Sequence, residues 1–257
     1  MRAQLLFSSA CLALAIAVLP ACSGPQRNAE QLELSEYHYQ LSVGHYRARE
    51  VPYALRELLT AIDLNPENTS ALYLLGFIYQ GRRDFEMAEQ YYQEALALNP
   101  ELHEVKNNLG TVYLEQSRWE EAVTIFRELT RTPTYMTPEH ALNNLGWAQY
   151  NLGLYRDALT NFQMAVEFGP DHCLAWNNQG LTFEALGNLS DARRSYEQAI
   201  RRCDDYPEPN YHLAIIAMNV DENLEEAVVL FEACVEAAPD SAFGTRCQEY
   251  LDAITGE

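Results

Sequence analysis

The sequence predicts an all-α fold, a superhelical solenoid of six helical hairpins closed by a C-terminal capping helix. One observation is a recurrence of small residues. Ala54, Ala88, Ala122, Ala158, Ala192 and Ala227 return at spacings of 34, 34, 36, 34 and 35 residues, and Gly76, Gly110, Gly146 and Gly180 at 34, 36 and 34. The second is a large residue four positions after each alanine: Tyr92, Phe126, Phe162, Tyr196 and Phe231, with Leu58 in the first unit. The third is Pro66, Pro100, Pro170 and Pro239, which close four of the units. Small residues let two helices cross closely, the aromatic is expected to fill the gap between neighbouring hairpins, and proline stops the second helix because it has no backbone donor. A single hairpin cannot bury its own apolar face, so neighbours must stack.

This register divides the chain into units 35–68, 69–102, 103–138, 139–172, 173–206 and 207–241. Ala242 to Ile254, with Phe243, Tyr250 and Leu251, is amphipathic and predicts the capping helix. Three departures stand out. Ser42 replaces the glycine of the first unit, the joint Arg202 to Pro207 lacks the closing proline at its usual place, and Thr132 to Pro138 is two residues longer than its equivalents. The longer joint is read as a loop bulge without function. Leu74-Leu75-Gly76-Phe77-Ile78-Tyr79, followed by Ala88, Tyr92, Ala95 and Pro100, resembles the tetratricopeptide repeat at nearly every diagnostic position.

The N-terminus reads as an address. Arg2 precedes an apolar run from Leu5 to Leu19, too short to span a bilayer comfortably, and small residues follow. Leu19-Pro20-Ala21-Cys22 resembles a bacterial lipobox, although Pro20 is untypical within it. The expected organisation is a signal peptide over 1–21, a lipidated Cys22 with a polar tether over 22–34, and the repeat domain over 35–257. Several acyl chains exceed the two signals needed for stable anchoring. The tether, about a dozen residues, reaches at most ~40 Å, which keeps the folded body near the membrane. Ser23 rather than Asp after the cysteine resembles the pattern that permits sorting to the outer membrane, with the repeats facing the periplasm.

There are 37 Asp plus Glu against 17 Lys plus Arg, a formal charge of −20, which repels phosphate backbones and argues against nucleic acid as a partner. The six histidines are scattered, and neither a phosphate loop nor a nucleophile elbow is present. No catalytic residue, cofactor or small-molecule substrate is therefore expected. Besides Cys11 and Cys22 four cysteines remain, an even number that points to disulfides in an exported chain. Four cysteines allow three connectivities. Cys173 opens a unit and Cys203 closes it, while Cys234 lies in the last unit's second helix and Cys247 in the antiparallel cap, so 173–203 and 234–247 form the local solution. The alternative is a metal held by Asp171-His172-Cys173 and Cys203-Asp204-Asp205, without the tight Cys pairs usual at zinc sites.

In tetratricopeptide proteins the first helices line the concave surface, and the position two before the glycine points inward. By that resemblance Asn108, Asn144 and Asn178, preceded by Asn107, Asn143 and Asn177, form a row of amides able to pair with an extended peptide backbone. The alternative is that these asparagines are simply solvated consensus residues. Phe77, Trp147, Leu181 and Ile215 follow the glycine or its equivalent, and Tyr73, Tyr150 and Tyr211 fall on or near the same face, a composition suited to a protein-binding groove. A lipobox, a short tether, six repeats and a cap together resemble the pilotin lipoproteins of type IV pili, the Tgl and PilF class. That resemblance implies binding of secretin subunits and their targeting to and assembly in the outer membrane. Two other binding roles remain: a scaffold for cell-wall hydrolases and a component of outer-membrane assembly machinery. From a different class, a metalloprotein or enzyme centred near Cys173 is the further alternative.

Overall fold

The computed structural model describes residues 29–256. The expected signal peptide and Cys22 lie outside the described residues. Thirteen helices and no strand are found among those residues. They run α1 (Ala29–Arg47), α2 (Val51–Leu64), α3 (Thr69–Gly81), α4 (Phe85–Leu98), α5 (His103–Glu115), α6 (Trp119–Thr130), α7 (Pro138–Asn151), α8 (Tyr155–Phe168), α9 (Cys173–Ala185), α10 (Leu189–Ile200), α11 (Glu208–Asn219), α12 (Leu224–Ala237) and α13 (Ala242–Thr255). Each odd helix packs on the even helix that follows, and each hairpin on the next, giving the expected solenoid with α13 as its cap. The first helix starts earlier than the register implies: residues 29–34, read as tether, belong to α1.

Helix starts are written locally. Asn68, Asp84, His172, Asn188, Asn223 and Ser241 each accept a hydrogen bond from the backbone N–H three residues on. The even helices α2, α4, α8 and α12 stop two residues before Pro66, Pro100, Pro170 and Pro239. Inside each hairpin the turn needs one residue in the left-handed region. Gly153 and Gly187 supply it in two turns, while Arg49, Arg83, Ser117 and Glu222 adopt it in the other four, at φ between 52° and 61°.

The recurrent small and aromatic residues pack within a hairpin before they pack between hairpins, which corrects the expected placement of the rings. A Cβ added at Gly76, Gly110, Gly146 or Gly180 would come within 3.0 Å of the ring of Tyr92, Phe126, Phe162 or Tyr196. Each glycine lies on the odd helix and each ring on its even partner, so the missing methyl is the space the ring fills. At the equivalent places of the first hairpin stand Ser42 and Leu58, both fully buried, a larger residue on one helix and a smaller one on the other. The rings then reach onward: Tyr196 stacks on His212 of α11, with centroids 5.2 Å apart.

Disulfides join Cys173 to Cys203 across the mouth of the α9–α10 hairpin and Cys234 to Cys247 between α12 and α13, with Cα–Cα distances of 6.3 and 6.2 Å. Both fall within the usual range for unstrained bridging. Bonded sulfurs cannot serve as thiolate ligands, and among the described residues no group of three or more His, Cys, Asp or Glu is placed to hold a metal. No helix of the described residues is long and apolar enough to cross a membrane.

Candidate peptide-binding groove

Odd-numbered helices line one face of the solenoid. Residues 34 to 36 apart on successive odd helices come side by side there, so a bond across the stack joins positions one repeat apart. Asn108 Nδ2 donates to the Tyr73 hydroxyl at 3.3 Å, and Asn178 Nδ2 donates to Asn143 Oδ1 at 3.0 Å. Asn143 Nδ2 in turn donates to Asn144 Oδ1 at 3.3 Å.

These bonds divide the expected amide row. Asn143, Asn177 and Asn178 are buried at 3%, 0% and 4% exposure, so three of the six do not face a groove. An amide between two closely packed helices satisfies its donors on the neighbour, and that tie removes it from solvent. Asn177 lies toward the Glu208 carboxylate but short of good hydrogen-bond geometry. Burial raises the Glu208 pKa, yet His212, 3.9 Å away, and the Tyr206 hydroxyl, which donates to Glu208 Oε2 at 2.9 Å, outweigh it, leaving the carboxyl below its ordinary range. Asn107, Asn108 and Asn144 remain partly accessible, as do Tyr73, Trp147, Leu181 and Ile215, while Phe77 is exposed. Trp147 stacks flat on Tyr150, centroids 5.4 Å apart, which fixes its ring against the face of α7.

Cavities open beside the accessible residues in the first half of the array. A cavity of about 650 Å³ is lined by Tyr46 of α1, Phe77 and Ile78 of α3 and Asn108 and Glu115 of α5, with Arg82 and Arg83 also on its lining. A second cavity, of about 400 Å³, shares Asn108 and adds His103, Glu104, Asn107, Tyr135, Met136 and His140. The two make a continuous surface across α1, α3, α5 and α7. The Tyr135 phenol on this surface is a hydrogen-bonding group, not an acid, since burial holds it above the ordinary tyrosine range.

The longer joint between α6 and α7 is part of this surface. The Tyr135 hydroxyl donates to Asn107 Oδ1 at 3.3 Å, and Thr134 Oγ1 lies 3.1 Å from His103 Nε2. These contacts fold the loop over the second cavity and leave Met136 88% exposed at its edge. Sequence reasoning missed Tyr46, Arg82, Arg83, His103, Tyr135 and Met136. The two extra residues of the joint were the signal for the loop. Arg49 and Arg83, one period of 34 apart, were the signal for the basic turns.

Family models agree with this architecture. Tetratricopeptide repeat models match residues 69–102, 104–131, 143–207 and 177–242, more than half of the chain. The chain belongs to the tetratricopeptide repeat family. Such domains mediate protein–protein interactions. Among curated proteins, the type IV pilus assembly protein PilF of Pseudomonas aeruginosa is 27% identical over 114 residues, 44% of this chain and 45% of that protein. The matched stretch thus spans less than half of that relative. Among solved structures, PilF of Pseudomonas aeruginosa superposes with a TM-score of 0.70 at 19% identity, covering 86% of this chain and 99% of that one. PilW, described as a widely conserved type IV pilus biogenesis factor, superposes with a TM-score of 0.72 at 22% identity, covering 83% and 98%. At these identities the structural likeness establishes the shared fold.

Proposed function

We propose that this protein is a type IV pilus biogenesis lipoprotein, a pilotin that binds secretin subunits and promotes their targeting to and assembly in the outer membrane. The observation that carries the reading is the likeness to PilF in both sequence and fold, together with a fold likeness to PilW that spans nearly the whole of each solved chain. The groove supports it, since exposed Phe77 and partly exposed Trp147, Asn108 and Asn144 offer apolar contact beside amide donors and acceptors. In this reading acylated Cys22 holds the chain at the outer membrane with the repeats in the periplasm. Binding to the client is non-covalent and needs neither cofactor nor catalytic residue.

Deletion of the gene is expected to abolish heat-resistant secretin multimers and surface pili. Normal multimers and pili in the deletion strain would refute the pilotin role. A Cys22→Ala variant tests the anchor separately, by loss of palmitate labelling and of membrane fractionation.

A further inference from the structure

The cavity between α1, α3 and α5 sits at the edge of the solenoid where the hairpin turns lie, and the first two of those turns are rich in arginine. Against a formal charge of −20, the first hairpin turn carries Arg47 and Arg49 and the second Arg82 and Arg83. Tyr46 and Val51, on either side of the first turn, line the same cavity as Arg82 and Arg83 from the second. All four arginines are exposed, and Arg47, Arg49 and Arg82 have no carboxylate partner among the described residues. Arg83 lies 3.5 Å from Glu115, and its side chain is still 73% exposed. The nearby acids are already engaged: Glu50 with His45 at 2.7 Å, Asp84 in capping α4, and Glu115 with Gln80 at 3.2 Å. Glycine takes the left-handed turn position in the fourth and fifth hairpins, whereas arginine takes it in these two. The floor of the cavity is apolar, with Tyr46 and Phe77 edge to face at 6.0 Å.

We infer that this cavity is a specificity pocket for an extended peptide segment carrying a large apolar side chain next to carboxylates. The apolar side chain enters between Tyr46 and Phe77, and the carboxylates face Arg82 and Arg83 at the rim, where arginine offers forked donors. The many acidic residues elsewhere do not prevent this, because charges farther than about 8 Å are largely screened at physiological ionic strength. The volume of the cavity and its aromatic lining favour a peptide over an anionic lipid surface. A flat headgroup layer would meet the arginines and leave the floor empty. The inference rests on the reading that the odd-helix face binds protein, and it names the chemistry that this part of the face selects.

The test uses the full chain in detergent and fluorescently labelled Gly/Ser decapeptides with a central Asp-Phe-Asp, Lys-Phe-Lys or Asp-Ala-Asp. Fluorescence anisotropy is expected to show Asp-Phe-Asp binding at least ~10-fold tighter than either of the others, with the advantage over Lys-Phe-Lys shrinking as salt is raised. The double variant R82E/R83E should reverse the preference for acid over base, and Phe77→Ala should abolish the preference for Phe over Ala. Equal binding of all three peptides, binding of none, or an unchanged preference in R82E/R83E overturns the inference. So does a loss of binding to phosphatidylglycerol vesicles in R82E/R83E with peptide binding intact, since the arginines would then serve a lipid. The secretin state of the deletion strain does not depend on these peptides, so the pocket can fail while the pilotin reading stands.

Discussion

Single atoms decide much of this structure. The space for each interhelical ring is the methyl group its glycine lacks, so Gly180→Ala forces the Cβ into Tyr196. The expected cost is about 1–3 kcal/mol in urea unfolding, as for other overpacked cores. Gly44 in α1 has nothing within 4 Å of an added Cβ, so Gly44→Ala should instead stabilise by about 0.5–1 kcal/mol. His172 poses a different single-residue question. Its Nδ1 accepts the Ala175 N–H at 3.2 Å and its Nε2 lies 3.1 Å from His140 Nδ1. Burial first, and His140 second, hold its pKa below the usual 6.5. A base with a depressed folded-state pKa contributes stability that is full above 6.5 and is lost as pH falls through the depressed value. Urea unfolding across that window should show the loss in the native protein, and less of it in His172→Asn, which keeps the cap but cannot titrate. Equal pH slopes in the two proteins would rule this out. At this scale the sequence was informative where a residue recurs for packing, and misleading where an amide could be either tie or contact. Asn144 and Asn178 occupy the same register, yet only Asn178 is buried, because its amide reaches across the stack to Asn143.

Among the elements, α13 shows how an end is closed. Tyr250 stacks on Phe231 with centroids 4.9 Å apart, and Cys247 is bonded to Cys234 beneath it. The disulfide closes a short loop, with a sequence separation of 13, and should contribute about 2–4 kcal/mol. Replacing both cysteines by serine is expected to lower the thermal midpoint and to speed amide exchange in α13 and α12, with little change in α3 to α6. Slowed or unchanged exchange in α13 would contradict that role. The two cysteines were visible in the sequence, and so was their nearness in an antiparallel pair, because the repeat register fixes which helices neighbour each other. The longer α6–α7 joint was visible only as a length. Its role could not be read, because Tyr135 and Thr134 find Asn107 and His103 only after α5 and α7 are side by side.

For the whole molecule, the main helix contacts among the described residues run within a hairpin or between neighbouring ones, so stability is a sum of hairpins and interfaces, and the ends decide where opening begins. The C-terminal end carries a cap and two disulfides. The N-terminal end presents Leu34, Tyr37 and Leu41 of α1 exposed, with no helix beyond it among the described residues. Hydrogen exchange is therefore expected to be fastest in α1 and α2 and slower toward α9 to α13, with the C-terminal advantage shrinking on reduction. The most rapid exchange in α11 to α13 of the oxidised protein would overturn this order.

The sequence alone determined the repeat, its count, its family and the chemistry of its helix ends, because packing a ring on a glycine and stopping a helix at a proline are local demands that recur every 34 residues. It pointed to a binding face without defining it. Which amides are buried as ties, where the cavities open, how the extra loop folds over one of them and how Arg82 and Arg83 come to share a cavity with Tyr46 and Phe77 were decided by the stacking of hairpins. Those relations join residues a full repeat or more apart. They are set by how closely each hairpin approaches the next, a distance that no single period of the sequence contains.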